Sequence, residues 1–135
     1  MLRDEIGARC AAIEECYEFM LAYAGQGLAG DEGSKSTPQA RDFLNRAVEA
    51  LSGLAGAYAA AVKKENLQPA ESYQAFLDVL DRDARDSLAA IQLVLAQNAL
   101  SSQLIDNLNA SIHLRALLTD LFLVDEILKP QKTQA

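Results

Sequence analysis

Apolar residues recur every three or four positions through most of the chain, and that period predicts four helices. The first covers residues 2–24, with Ile6, Cys10, Ile13, Tyr17, Met20 and Ala24 on one face. Gly25 is a natural C-terminal stop, with Gly27 and Gly30 behind it. The second opens at Thr37-Pro38, an N-cap followed by proline at the first helical position. Its apolar positions are Ala40, Phe43, Leu44, Ala47, Leu51, Leu54, Tyr58 and Val62, and it fades through Lys63, Lys64 and Glu65. The third starts after Pro69 and sets Tyr73, Phe76, Leu77, Leu80, Ala84, Leu88, Ile91 and Leu95 opposite a charged face of Asp78, Asp81, Arg82, Arg85 and Asp86. A break at residues 98–102, where Ser101 or Ser102 can cap a new turn, separates it from the fourth, which ends near Leu128 before Lys129-Pro130. Without that break, one helix over residues 70–128 would be about 88 Å long, too long for a compact domain of this size.

Each helix is then about 23 to 28 residues, or roughly 35 to 42 Å. Equal lengths, a short second turn at residues 66–69 and heptad-like spacing predict an all-α fold, an antiparallel up-down four-helix bundle. Residues 1–129 form its single domain, and residues 130–135 are expected to be a disordered tail. The one longer connection is the glycine-rich loop over residues 25–36, which holds four of the seven glycines and is expected to be mobile or functional.

A bundle helix needs one apolar stripe, and the first and fourth helices each carry two. On the first, Ala8, Ala12, Cys16, Phe19 and Tyr23 form a second line, centred about 120° from the Ile6/Ile13/Met20 line. On the fourth, Ile105, Leu108, Ile112, Ala116, Thr119, Leu123 and Ile127 form one line, and Leu114, Leu118, Leu121 and Leu128 another. A helix that is apolar nearly all round must be buried on more than one side. These second stripes are therefore expected to merge into one interaction face of Ala12, Cys16, Phe19, Tyr23, Leu114, Leu118, Leu121 and Leu128, closed by a two-fold homodimer. The competing expectation places the fourth helix centrally, with its second stripe as internal core. Gly53, Gly56, Ala57 and Ala60 leave one face of the second helix nearly free of side chains, which fits close approach by a partner helix and equally fits simple tolerance of glycine in an alanine-rich helix.

Composition narrows the function. Of 135 residues half are apolar, and the net charge is −7, so the chain is a folded domain with an acidic surface. Its twelve Lys and Arg are scattered, which argues against nucleic acid and against anionic membranes, both of which need a basic stripe. No run approaches the ~20 apolar residues of a membrane span. The charged start, Met1-Leu2-Arg3-Asp4-Glu5, lacks a signal-peptide core, so the expected location is cytoplasmic.

Few constellations could carry chemistry. The stretch from Gly27 to Thr37 resembles a phosphate-binding loop, but Ser34 intrudes between Gly33 and Lys35, no strand precedes it, and Asp31 and Glu32 would repel phosphate. A di-metal bundle needs Glu-x-x-His pairs, whereas the lone His113 has Ala110 and Ala116 three residues away on either side. Glu14, Glu15 and Glu18 project away from the first helix's core stripe. Cys10 and Cys16 are six apart, about 240° on a helix, so they neither bridge nor match a metal or redox spacing. No catalytic residue, metal ligand set or cofactor is expected. Tyr17, Tyr58 and Tyr73 lie on core stripes of three helices, and with Cys10 and His113 they are the weak candidates for a small-molecule, haem or metal site.

The equal helices and acidic balance resemble those of small bacterial helical-bundle proteins such as secretion and flagellar chaperones, a likeness of architecture from which function does not follow. The sequence therefore predicts a non-enzymatic adaptor, chaperone or regulator, homodimeric through the first and fourth helices, with a possible further protein partner. The alternative is a carrier or sensor with its ligand inside the bundle.

Overall fold

A computed structural model describes residues 2–27 and 36–129. The all-α expectation holds, and the four-helix count does not. The described residues form six helices: α1 (Leu2–Ala24), α2 (Ser36–Leu51), α3 (Leu54–Lys64), α4 (Ala70–Leu95), α5 (Ser102–Asn109) and α6 (Ile112–Leu128). The predicted tail at residues 130–135 and most of the glycine-rich loop, with its phosphate-loop likeness, lie outside the described residues.

The two additional breaks have local causes. Between α2 and α3, Gly53 adopts φ +83°, a left-handed conformation that glycine reaches without a Cβ penalty. Arg9 on α1 then takes up carbonyls left over at the end of α2, donating from Nη1 to Ala50 O at 2.8 Å and Ser52 O at 2.7 Å. Gly53 thus forms the turn between α2 and α3 and is not part of a continuous helix face. Between α5 and α6, Ser111 is extended and its side chain accepts the Leu114 N–H, an N-cap that starts a fresh helix. Ser101 does the same for α5 by accepting the Leu104 N–H at 3.0 Å.

Long-range polar contacts fix how the helix ends meet. Arg3, at the start of α1, forks onto Glu65 at 2.6 and 2.7 Å and donates to Leu128 O at 2.8 Å, joining the ends of α3 and α6. At the opposite end of α1, Tyr23 donates to Leu100 O at 2.5 Å, and Ser102 Oγ donates to Tyr23 O at 2.7 Å. Arg41, near the start of α2, donates to Leu95 O, Gln97 O and Asn98 O where α4 ends. Arg3, Arg9 and Arg41 thereby place cations on helix C-termini, where carbonyls lack intrahelical partners and the dipole is negative.

The core runs through all six helices. Leu44, Leu54, Leu80, Ile91, Ile105, Leu117 and Leu121 are fully enclosed, as are the rings of Tyr23 and Tyr58. Helix α1 packs on α2, α3 and α5, and α4 packs on α2, α3, α5 and α6.

Candidate functional site

The fold buries most of the expected interaction face. Cys16 and Tyr23 on α1, and Leu114, Leu118, Leu121 and Leu128 on α6, all lie inside the chain's own core. Ala12 and Phe19 are half-buried, and Phe19 stacks on Phe43 of α2 with centroids 4.5 Å apart. The second stripe of α1 is therefore packed against α2 and the start of α5 rather than being surplus. On α6 the cause is the Ser111 break. Read as one helix, Ile105 and Leu108 continue into Ile112. With the chain restarted at Ser111, Ile105 and Leu108 are buried while Ile112 is 74% exposed.

The other line of α6 remains outside, and Leu21, Leu93 and Phe122 are exposed elsewhere on the surface. Ile112, Leu123 and Ile127 are exposed, with half-buried Ala116 between them, all on one side of the helix at separations of four, seven and four residues. Beside the C-terminal end of this line, a hollow of about 260 Å³ is lined by Pro69, Ser72, Tyr73, Phe76, Val124 and Ile127. It joins the outer line of α6 to the Ser72/Phe76 flank of α4. Val79, also exposed, continues that flank by one turn.

A carboxyl pair links the same two helices. Asp120 of α6 is only 8% exposed and lies within hydrogen-bonding reach of Asp83 on α4, yet its Oδ2 has no donor partner. Two carboxylates can hydrogen-bond only if one carries a proton. Burial first, then Asp83, pushes the Asp120 carboxyl from an ordinary 3.8 up to about 7. The buried Ser87 Oγ of α4 and Asn109 Oδ1 of α5 likewise lack a partner.

The pair has a testable consequence for stability. The folded chain holds the Asp120 proton more tightly than the unfolded chain does, so folding binds a proton between the ordinary 3.8 and about 7. Stability contributed here is full at the acid end, falls as pH rises through that window and levels off above it. Asp120→Asn is expected to flatten the fall and to raise stability at pH 8 by about 1 to 3 kcal/mol, with little change at pH 4. Urea titrations at the two pH values measure this, and equal stability of wild type and variant at pH 8 would contradict it.

The candidates for a ligand site do not converge. Cys10 and Tyr58 meet, with Sγ 3.2 Å from Oη, but their partner is Asp125, whose Oδ1 accepts from Tyr58 Oη at 2.6 Å. Sequence reasoning missed Asp125, because nothing local marks a contact between residues 67 apart. Tyr73 lines the surface hollow, Tyr17 is half-buried, and His113 is exposed on α6. Burial pushes the Cys10 thiol up to about 11 and the Cys16 thiol up to about 12, so both are neutral and poor nucleophiles at pH 7. Burial, followed by the bonds to Asp125 and Cys10, also raises the Tyr58 hydroxyl. Near this trio, burial and then the charge of Asp125 raise the Glu14 carboxyl. The trio ties α1, α3 and α6 together as a packed polar contact.

Among the described residues, no group of three or more His, Cys, Asp or Glu side chains could hold a metal ion. None of the described helices is long and apolar enough to cross a membrane. On the opposite side of the molecule, a groove of about 630 Å³ between α3 and α4 is lined in part by Ala55, Gly56, Ala59, Leu77, Ala84 and Leu88. A Cβ on Gly56 would meet nothing within 4 Å, so this glycine faces open space. Ala57, from the same small-residue set, is buried.

The described residues define an all-α protein in which Ile112, Leu123 and Ile127 form an exposed apolar line on α6. No protein-family model, curated protein or solved structure matches the chain.

Proposed function

We propose that this chain is a non-enzymatic protein-interaction module, an adaptor, chaperone or regulator, working through the outer line of α6 and the adjoining flank of α4. In this reading the broken pairs α2–α3 and α5–α6 serve as the second and fourth rods of an up-down bundle. One observation carries the proposal: Ile112, Leu123 and Ile127 are each at least half exposed on one side of a helix whose opposite side is core, next to an apolar hollow. Side chains of this size align outside a core chiefly where another surface covers them. Homodimerisation, the assembly expected from the sequence, would not use the stripe of Cys16, Tyr23, Leu118 and Leu121, which is buried in the chain's own core; this line offers it an exposed apolar surface instead.

The carrier reading has weaker support, because Tyr17, Tyr58, Tyr73, Cys10 and His113 do not line a common cavity. A photo-crosslinking residue at position 123 tests the module directly in the cells that make the protein. Adducts to a polypeptide are expected at 123 and not at the exposed polar position 107 of α5. Absence of any adduct at 123 would overturn the proposal. The size of the adduct separates a second copy of this chain from a different protein.

A further inference from the structure

We infer that the α4–α6 face docks a cationic amphipathic helix of another protein, with its apolar residues on Ile112, Leu123, Ile127 and Phe76 and a Lys or Arg on the Asp83–Asp120 pair. This deepens the interaction-module reading and rests on it. Residues 112 to 127 of α6 span about 22 Å at 1.5 Å per residue, the length of a four-turn partner helix. Helix-in-groove recognition needs an apolar line of that length with a depression for an anchor side chain. The hollow bounded by Tyr73, Phe76 and Ile127 supplies the depression.

Charge selects the occupant. Asp120 is more than nine-tenths buried, its Oδ2 has no partner, and its neighbour across the seam is a second acid, Asp83. The ion pairs among the described residues lie elsewhere, as Arg3–Glu65, Arg9–Glu5, Arg46 with Glu15 and Asp42, Arg85–Asp81 and Lys129–Glu126. A guanidinium or ammonium docked over the seam would give the negative charge of the pair a counter-ion. A second copy fits less well. A two-fold contact presents the same patch from both sides, setting a second acid pair against the first and bringing together two chains of net charge −7 each. Complementary potentials favour a basic partner.

The test uses the full chain and a fluorescein-labelled 18-residue helix of Leu, Ala and Gln with one Lys midway along its Leu face. Its analogue carries Gln in place of that Lys. Anisotropy titrations are expected to show the Lys peptide binding at least about ten-fold tighter than the Gln analogue, a free-energy difference of about 1.4 kcal/mol. The Asp83→Asn/Asp120→Asn double variant should erase that difference, and Leu123→Lys should weaken both peptides, with circular dichroism confirming that each variant folds. Equal binding of the two peptides to wild type would overturn the cationic partner while leaving the docking face intact, provided Leu123→Lys still weakens both. Binding indifferent to Leu123→Lys would overturn the docking face as well. A wild-type dimer in light scattering that Leu123→Lys dissociates would make the occupant a second copy and overturn the inference of a different protein.

Discussion

Leu121→Glu is expected to unfold the chain, whereas Leu123→Glu, two residues along the same helix, should leave it folded. Leu121 has no exposed surface, and Leu123 is half exposed. Truncating a buried leucine already costs about 2 to 5 kcal/mol, and an unpaired carboxylate in the same place adds several more. Against a total stability of about 5 to 15 kcal/mol, the first substitution removes most or all of the folded state. The second removes a solvent-facing side chain and should change stability by no more than about 0.5 kcal/mol. Circular dichroism melts of the two variants, run beside wild type, decide the matter. A Leu121→Glu variant that melts like wild type would place Leu121 in an interface between chains, as the sequence pattern first suggested, and not in the core.

Tyr58 carries the second large effect. Its ring is fully enclosed, and its hydroxyl joins Cys10 on α1 to Asp125 on α6. Tyr58→Ala is expected to lose about 3 to 5 kcal/mol, the cost of removing a buried aromatic ring and leaving its cavity. Tyr58→Phe keeps the ring and removes the hydroxyl that donates to Asp125, so it should cost about 1 to 3 kcal/mol. Urea unfolding of both variants separates packing from hydrogen bonding. A Tyr58→Phe stability equal to wild type would mean that solvent replaces the hydroxyl at Asp125.

Much of the fold was readable from local signals. The end of α1 at Gly25, the stop after Leu128 and the break near residue 100 rest on residues whose effect is confined to their own turn of backbone. The two missed breaks also had local signals that pointed more than one way. Gly53 reads equally as a small contact residue until its positive φ is known. Ser111 sits amid an apolar period that continues through it from Ile105 to Ile127.

That second miss reassigned the site. Once α6 restarts at Ser111, the leucines at 114, 118, 121 and 128 turn inward and Ile112, Leu123 and Ile127 are left outside. Both lines were visible in the sequence, and only the phase of the new helix decides which is core. The remaining features are long-range. The arginines on helix C-termini, the Cys10–Tyr58–Asp125 contact and the Asp83–Asp120 pair each join residues at least 37 positions apart. No periodicity within one helix encodes such contacts.

The most direct test of the docking face is a residue-resolved NMR titration of the full chain with the Lys-bearing amphipathic helix. If this face docks the helix, chemical-shift changes concentrate at Ile112, Ala116, Leu123 and Ile127 of α6 and at Ser72, Phe76, Val79 and Asp83 of α4. Changes centred instead on the α3–α4 groove around Gly56 and Leu88, or no changes at saturating peptide, would contradict it.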